Sequence, residues 1–123
     1  MKEKNYQTIF NKWLKEVKKE VFVYKIPDCG FQNPFDSFSV SKNGKFSAWE
    51  LKQTQTKSLP FSVVVPHQIS ALQTVINGNI VIKYPESFEI IPIENFIFER
   101  DRSKRKSLIY ERAKAISTIS IKL

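Results

Sequence analysis

Apolar and polar residues alternate along the first part of the chain with the period of an α-helix. Between Asn5 and Glu20 the apolar side chains recur every three or four positions, which predicts a helix whose apolar stripe contains Tyr6, Ile9, Phe10, Trp13, Leu14 and Val17. Asn5 is expected to cap this helix. Several lysines lie off the stripe and are expected to be solvated, with Lys12 also a candidate contact to phosphate.

The next part of the chain alternates with the shorter period of β-strands. Three strands are predicted, at Val21–Ile26, Phe35–Val40 and Lys45–Lys52. Pro27 ends the first strand, and the turn formers of 28–34 predict a loop. Asn43 and Gly44 both tolerate positive φ, so they predict a hairpin turn that makes the second and third strands neighbours.

The second half of the chain is predicted to contain one clear helix, one clear strand and less regular segments. The helix is Pro66–Asn77, the strand is Asn79–Tyr84, and a short edge strand is expected at Phe88–Ile93. Glu99–Ala115 is basic and then helical in pattern, and Ser117–Leu123 predicts either an edge strand or a frayed tail. This order predicts a single α/β domain over residues 1–123, with a central mixed β-sheet flanked by α-helices.

Composition narrows the class of protein. The chain of 123 residues is 41% apolar and 26% charged, which is typical of one globular domain with a real core. The single cysteine, Cys29, excludes an internal disulfide and a Cys-rich zinc site and is expected to be an inert thiol. No apolar run approaches membrane-spanning length and no signal-peptide core begins the chain, so we expect a cytoplasmic protein without a membrane partner.

The net charge of +8 changes the picture further, because it predicts a polyanionic partner. Nucleic acid is preferred over a membrane surface since the basic residues are concentrated rather than evenly spread. The densest group lies in one segment and contains Arg100, Arg102, Lys104, Arg105 and Lys106. The alternative is a well-solvated basic protein with no such partner.

Candidate chemistry lies in the predicted hairpin. Asp36 belongs to its first strand, and Glu50 and Lys52 belong to its second. Residues two apart on a strand share a face, so Glu50 and Lys52 point the same way, and Asp36 can join them if the strands are neighbours. Two carboxylates beside an amine can hold a divalent cation next to a phosphate. The alternative, a surface ion pair between Glu50 and Lys52, is common by chance.

A family resemblance supports the first interpretation. The pattern Pro34-Phe35-Asp36 followed by Glu50-Leu51-Lys52 resembles the PD-(D/E)xK nuclease motif. The stretch WELKQTQTKSLPFSVVVPHQISAL is similar to the corresponding stretch of the RecU-type Holliday-junction resolvases, also called penicillin-binding-protein-related factor A. Its matching features are Thr54, the turn at Ser58–Pro60 and the His67-Gln68 pair. The resemblance covers Asn5 to Tyr84 and implies a restriction-endonuclease-like core.

The resemblance also implies roles for individual residues. Asp36 and Glu50 would be ligands of Mg²⁺, or of Mn²⁺, with the backbone carbonyl of Leu51 as a third ligand. Lys52 would be the catalytic lysine. Gln68 would orient the water or the surroundings of the metal, with a helix-start residue that faces solvent as the alternative. Thr54 and His67 would contact DNA, with a purely structural role as the alternative for each.

Two departures from the family pattern bear on function. Many members carry a metal-reaching glutamate in the first helix, where this chain has Gln7. Either fewer carboxylates hold the metal, or Glu3 or Glu16 substitutes. The chain is also short and has no counterpart of the family's stalk segment, which bears on specificity for four-way junctions more than on hydrolysis.

The resemblance as a whole implies a Mg²⁺-dependent endonuclease that cuts branched DNA, four-way junctions above all, in recombination or repair. It also implies a homodimer, because symmetric cutting of two strands needs two sites. Arg100, Arg102, Lys104 and Arg105 would then contact phosphates. Two alternatives remain: a non-catalytic nucleic-acid-binding module of the same fold, and a nicking or restriction-type nuclease on duplex DNA.

Overall fold

A computed structural model describes residues 3–27 and 33–123 of the chain, without the side chains of residues 3 and 4. Most of the predicted loop at 28–34, and Cys29 with it, lies outside the described residues. The helices are α1 (Glu3–Glu16), α2 (Pro66–Thr74), α3 (Ile93–Arg102) and α4 (Tyr110–Ile116), with a 3₁₀ turn at Phe61–Val63. The strands are β1 (Phe22–Lys25), β2 (Ser37–Val40), β3 (Phe46–Gln53), β4 (Ser58–Pro60), β5 (Gly78–Lys83), β6 (Ser87–Pro92), β7 (Ser107–Ile109) and β8 (Ile119–Lys122).

Six of the strands form one mixed sheet in the order β1-β2-β3-β5-β6-β8, and β4 pairs with β7 in a separate ribbon. Only the pairing of β3 with β5 in the large sheet is parallel, and α2 provides the crossover between them. The predicted hairpin is confirmed, because β2 and β3 pair antiparallel with Ser37 opposite Trp49. Gly44, with a φ of 83°, supplies the left-handed residue of its turn.

The two faces of the sheet are covered by different helices. Helix α1 packs on one face, where its buried Tyr6, Phe10 and Leu14 meet Trp49 and Leu51 of β3. Helices α2, α3 and α4 cover the other face through a core that includes Leu72, Phe96, Ala113, Ile80 and Ile82. This arrangement confirms the predicted class, an α/β fold with a central mixed sheet between helices.

The first helix differs from its predicted bounds at both ends. It begins at Glu3, so Asn5 lies inside the helix and is not its N-cap. It ends at Glu16 and not at Glu20, since Lys19 adopts a φ of 63° that turns the chain out of the helix. Lys18, close to this end, forms an ion pair with the buried Glu20.

One prediction for the second half was wrong, and another was confirmed only in part. Strand β6 is not an edge strand, because β8 pairs with it from Ser87 to Ile90, which also settles the C-terminal tail as a strand. The helical pattern predicted after the basic residues is confirmed only for α4, because Leu108 and Ile109 belong to β7, which separates α3 from α4 and pairs with β4. Arg112 forms a bidentate ion pair with Glu99, in which its Nε and Nη2 atoms lie 3.0 and 2.9 Å from the two carboxylate oxygens. This pair links α4 to α3.

Arg112 also affects the ionisation of Glu99. The Arg112 guanidinium, through its hydrogen bonds, holds the pKa of the Glu99 carboxyl below its usual range. Among the helices of the described part of the chain, none is long and apolar enough to cross a membrane.

Candidate active site

The hairpin brings the predicted carboxylates together. Asp36 directly precedes β2, and its backbone N–H donates to the carbonyl of Trp49 at 3.0 Å. The pairing of Ser37 with Trp49 then sets Asp36 beside Glu50. One carboxylate oxygen of Asp36, Oδ2, accepts the backbone N–H of Leu51 at 2.8 Å. Asp36 is therefore held by the backbone of the strand that carries Glu50 and Lys52.

Glu50 lies at the centre of this group. Its residue surface is only 3% exposed, yet its Oε2 atom lies 3.3 Å from Lys52 Nζ and 3.1 Å from the donating Nε2 of Gln68. Burial raises the pKa of the Glu50 carboxyl from 4.5 to about 8, the Asp36 carboxylate adds to this rise, and Lys52 opposes it. When both carboxyls are ionised, the two carboxylates and one ammonium carry a net negative charge. A bound cation would balance that charge.

Gln68 reaches Glu50 from the first turn of α2. Its Oε1 accepts the backbone N–H of Val65 at 3.2 Å. That contact fixes the orientation of the amide, because the carbonyl oxygen must face the Val65 donor and the NH₂ group must face Glu50. The same hydrogen bond satisfies one of the free N–H groups at the start of a helix whose first residue is Pro66. Gln68 is thus a rigid link between α2 and Glu50.

The carbonyl of Leu51 has a partner that the sequence did not predict. The hydroxyl of Tyr6, on α1, donates to it at 3.4 Å. Tyr6 is 3% exposed, and its position in the apolar stripe predicted only a core role. An open cleft of about 390 Å³ joins these groups, and its walls are Tyr6, Asp36, Glu50, Leu51, Lys52, Gln53 and Gln68. Gln53 was also missed, since nothing in its local pattern marks it.

The donor set of this cleft fits a hard divalent cation. Asp36, Glu50 and the Leu51 carbonyl supply oxygen atoms, and Mg²⁺ commonly takes one or two carboxylates and fills its other positions with water and substrate phosphate. Within residues 3–27 and 33–123, no group of three or more His, Cys, Asp and Glu side chains comes together. The site therefore suits a cation that shares its ligands with a substrate better than a fully protein-enclosed metal.

Gln7 lies on the α1 side of Asp36. It is 8% exposed, and a narrow recess is shared by Gln7, Asn11, Lys25, Asp36, Ser37 and Leu51. An amide oxygen is a weaker metal ligand than a carboxylate. Glu16 lies nine residues further along α1, about 13 Å along the axis, and does not line this recess.

Thr54 and His67, the remaining residues of the matched stretch, do not line the cleft. The Thr54 hydroxyl donates to the carbonyl of Ser58 at 2.8 Å and accepts the backbone N–H of Thr56 at 3.2 Å. These contacts organise the loop between β3 and β4. His67 is half-buried beside Gln68 at the start of α2.

The predicted phosphate-binding residues divide into two groups. Arg100 and Arg105 line a second open cleft of about 480 Å³, here named the basic cleft, whose walls are Phe61, Ser62, Val64, Pro66, Ile69, Arg100, Arg105 and Lys106. Arg102 instead lies over the ring of Phe98 at 5.8 Å, and Lys12 and Lys104 are exposed elsewhere. Pro66 and Ile69 flank Gln68 on the first turn of α2, so the basic cleft adjoins the cleft of Glu50.

A comparison of the sequence with protein-family models and with curated proteins found no match. Among solved structures, the chain is similar to Hjc, a Holliday junction resolvase from the archaeal hyperthermophile Archaeoglobus fulgidus, with 13% sequence identity, a TM-score of 0.59 and coverage of 94% of each chain. At this identity the similarity shows the fold alone, and that fold is the restriction-endonuclease-like architecture of a resolvase.

Proposed function

We propose that this chain is a metal-dependent endonuclease that hydrolyses phosphodiester bonds in DNA, with branched DNA as its substrate. The observation that carries the proposal is the buried Glu50, which meets Asp36, Lys52 and Gln68 at the wall of an open cleft. A surface ion pair between Glu50 and Lys52 does not account for that burial, nor for the rigid contact from Gln68.

Asp36, Glu50 and the Leu51 carbonyl would hold Mg²⁺, with Mn²⁺ as a substitute. Such an ion, when bound, polarises the phosphodiester and lowers the pKa of a coordinated water. Lys52 extends into the same cleft and can donate to a non-bridging phosphate oxygen or hold the attacking water. Gln68 fixes the rotamer of Glu50, and Tyr6 holds the Leu51 carbonyl in place.

Support for branched DNA comes from two sides. The sequence around Asp36–Gln68 resembles RecU-type resolvases, and the fold is shared with an archaeal Holliday junction resolvase. A four-way junction has two symmetry-related strands to cut, so the proposed active form is a homodimer with two sites. The net charge of +8 and the basic cleft beside the site suit a DNA backbone.

Two variants test the catalytic assignment. Asp36→Asn keeps the size of the side chain but removes a metal-binding charge, and Lys52→Ala removes the ammonium at the site. Both are expected to abolish Mg²⁺-dependent cleavage of a four-way junction while DNA binding in EDTA stays near wild type. Lys45→Ala, in the turn at the opposite end of β3, is the matched control and should cut normally. Wild-type cleavage by Asp36→Asn and Lys52→Ala would refute the assignment.

A second candidate function is a nucleic-acid-binding module without catalysis. Gln7 favours it, because a buried amide stands beside Asp36 where a third carboxylate would strengthen the metal site. Calorimetric titration with Mg²⁺ and Mn²⁺ separates the two functions. Binding at millimolar concentration or below supports the nuclease, whereas tight DNA binding with no metal binding supports the module.

A further inference from the structure

The basic cleft combines two kinds of surface that a duplex backbone would not need together. Its rim carries the cations of Arg100, Arg105 and Lys106. Its floor is apolar: the exposed Pro66 and the half-buried Ile69 supply its accessible surface, and Phe61 and Val64, only 6% and 3% exposed, support it from below. Phosphates can pair with the cations of the rim, but only an apolar or aromatic group can bury the apolar floor.

The floor of the cleft is anchored by backbone and core contacts. The backbone N–H of Phe61 donates to the carbonyl of Lys106 at 3.0 Å, which extends the pairing of β4 with β7. The ring of Phe61 in turn packs edge-on against Phe96 of α3, with centroids 5.7 Å apart. The floor is therefore preformed, which lowers the entropy lost when a ligand binds.

Charge on the rim is available to a ligand. Arg100 is paired with Asp101 at 2.9 Å, on the exposed surface. Arg105 and Lys106 are exposed, and neither has a carboxylate within ion-pair distance among the described residues. Two uncompensated cations at the edge of an apolar floor favour an anion that carries a flat apolar group.

We propose that the basic cleft binds an unpaired nucleotide of DNA, with its base on the floor at Pro66 and Ile69 and its flanking phosphates at Arg105 and Lys106. In a duplex the base faces are stacked on each other, so a duplex can offer phosphates to the rim but no base to the floor. The cleft volume of about 480 Å³ lies in the range of small-molecule sites.

The position of the basic cleft connects this binding site to the proposed function. The inference rests on that function only because it takes DNA as the ligand. Gln68 lines the cleft of Glu50 and its neighbour on α2, Ile69, lines the basic cleft, so the first turn of α2 contributes to both. Flaps and gaps expose unpaired bases, whereas fully paired linear DNA does not, and a four-way junction exposes them only where pairs at its centre open. The cleft thus selects the substrate class through an unstacked base.

Binding measured without divalent metal tests the site apart from cleavage. Fluorescence anisotropy would compare a labelled single strand, a linear duplex and a junction with an unpaired stretch, all in EDTA. Ile69→Asn is expected to weaken binding of the single strand and the unpaired junction by about tenfold, because a stacked base contributes roughly that much affinity. Binding of the duplex should not change. Ile76→Asn, just beyond the C-terminus of α2 at 92% exposure, is the control and should match wild type.

The rim is tested by salt dependence. The double variant Arg105→Gln/Lys106→Gln should reduce the slope of log affinity against log salt by about 1.4 for a single strand, the value for two lost phosphate contacts. Ile69→Asn should leave that slope unchanged. An Ile69→Asn variant that binds single strand and duplex with equal losses, or with none, would overturn the proposal.

A second pair of variants decides the question if Ile69→Asn fails to fold. Ser62 is exposed on the wall of the cleft. Ser62→Asp should weaken single-strand binding more than duplex binding, while Ser62→Asn of the same size should not; equal affinities for both variants contradict the site. If the wild type cuts no DNA but shows the expected binding pattern, the proposed nuclease activity is refuted and this binding site is supported. If the wild type cuts DNA but Ile69→Asn binds single strands normally, the nuclease assignment stands and this binding site is refuted.

Discussion

The buried Glu50 makes the stability of the protein depend on pH in a way that one isosteric substitution removes. In the folded chain the pKa of its carboxyl rises from 4.5 to about 8 because burial and Asp36 both penalise the charge. Between these two values the native state holds a proton that the unfolded state has released. The free energy of unfolding must therefore fall as pH rises through this window, at about 1.4 kcal/mol per pH unit.

The size of the effect follows from the shift. A rise from 4.5 to about 8 corresponds to a loss on the order of 4–5 kcal/mol between pH 4.5 and pH 8, complete above that value. Solvent screening reduces this loss of stability only slightly, because the Glu50 side chain is only 4% exposed. This is a large part of the 5–15 kcal/mol that typically holds a domain folded. Glu50→Gln keeps the shape and can still accept the hydrogen bond from Gln68, but it cannot ionise.

Urea unfolding followed by tryptophan fluorescence measures the effect, because Trp49 is buried beside Glu50. At pH 5 in EDTA the wild type and Glu50→Gln should have similar stability. At pH 9 the variant should be more stable than the wild type by several kcal/mol. Subtracting the two pH profiles removes the contribution of other titrating groups. Parallel profiles across this range would refute the account of Glu50 as a destabilised, partly protonated carboxylate.

Three other predictions follow from the same structure. Binding of Mg²⁺ at pH 7 should release close to one proton, seen by calorimetry in two buffers of different ionisation enthalpy, and almost none above pH 9; no release at pH 7 would contradict the raised pKa of Glu50. Gln7→Glu should tighten Mg²⁺ binding by about tenfold, because it adds a third carboxylate next to Asp36, and a weaker affinity would place Gln7 outside the metal site. Gly78→Ala should destabilise the fold by about 3 kcal/mol, since the new Cβ would lie 2.2 Å from the Leu72 carbonyl oxygen, whereas Gly44→Ala, where the Cβ meets open space at a φ of 83°, should lose only about 1 kcal/mol; equal losses in thermal unfolding would contradict the clash.

The central hairpin could be predicted because its signals are local. The Asn43-Gly44 turn sets which strands pair, and the two-residue period of a strand sets which side chains share a face. Together these placed Asp36 beside Glu50 and Lys52. The contact from Gln68 rested on the family resemblance, since nothing local shows that the start of α2 returns to β3.

Other features depend on contacts that are distant in sequence. The segment after Ile93 divides into α3, β7 and α4 because β7 pairs with β4, some 50 residues earlier, a contact that local periodicity does not encode. The cations of the basic cleft were therefore visible in the sequence, while its floor was not. The end of α1 depends on one lysine with positive φ, which residue type rarely signals.

The most direct test of the proposed function is a cleavage assay with Mg²⁺ on four substrates side by side: a four-way junction, a flap, a linear duplex and a single strand. Wild type, Asp36→Asn and Lys52→Ala would be compared under the same conditions. We expect the wild type to cut the junction in preference to the linear duplex, with no cleavage by either variant and none in EDTA. Preferential cutting of linear duplex would contradict the branched-DNA assignment. Failure of the wild-type protein, shown to be folded, to cut any of the four would contradict the nuclease itself.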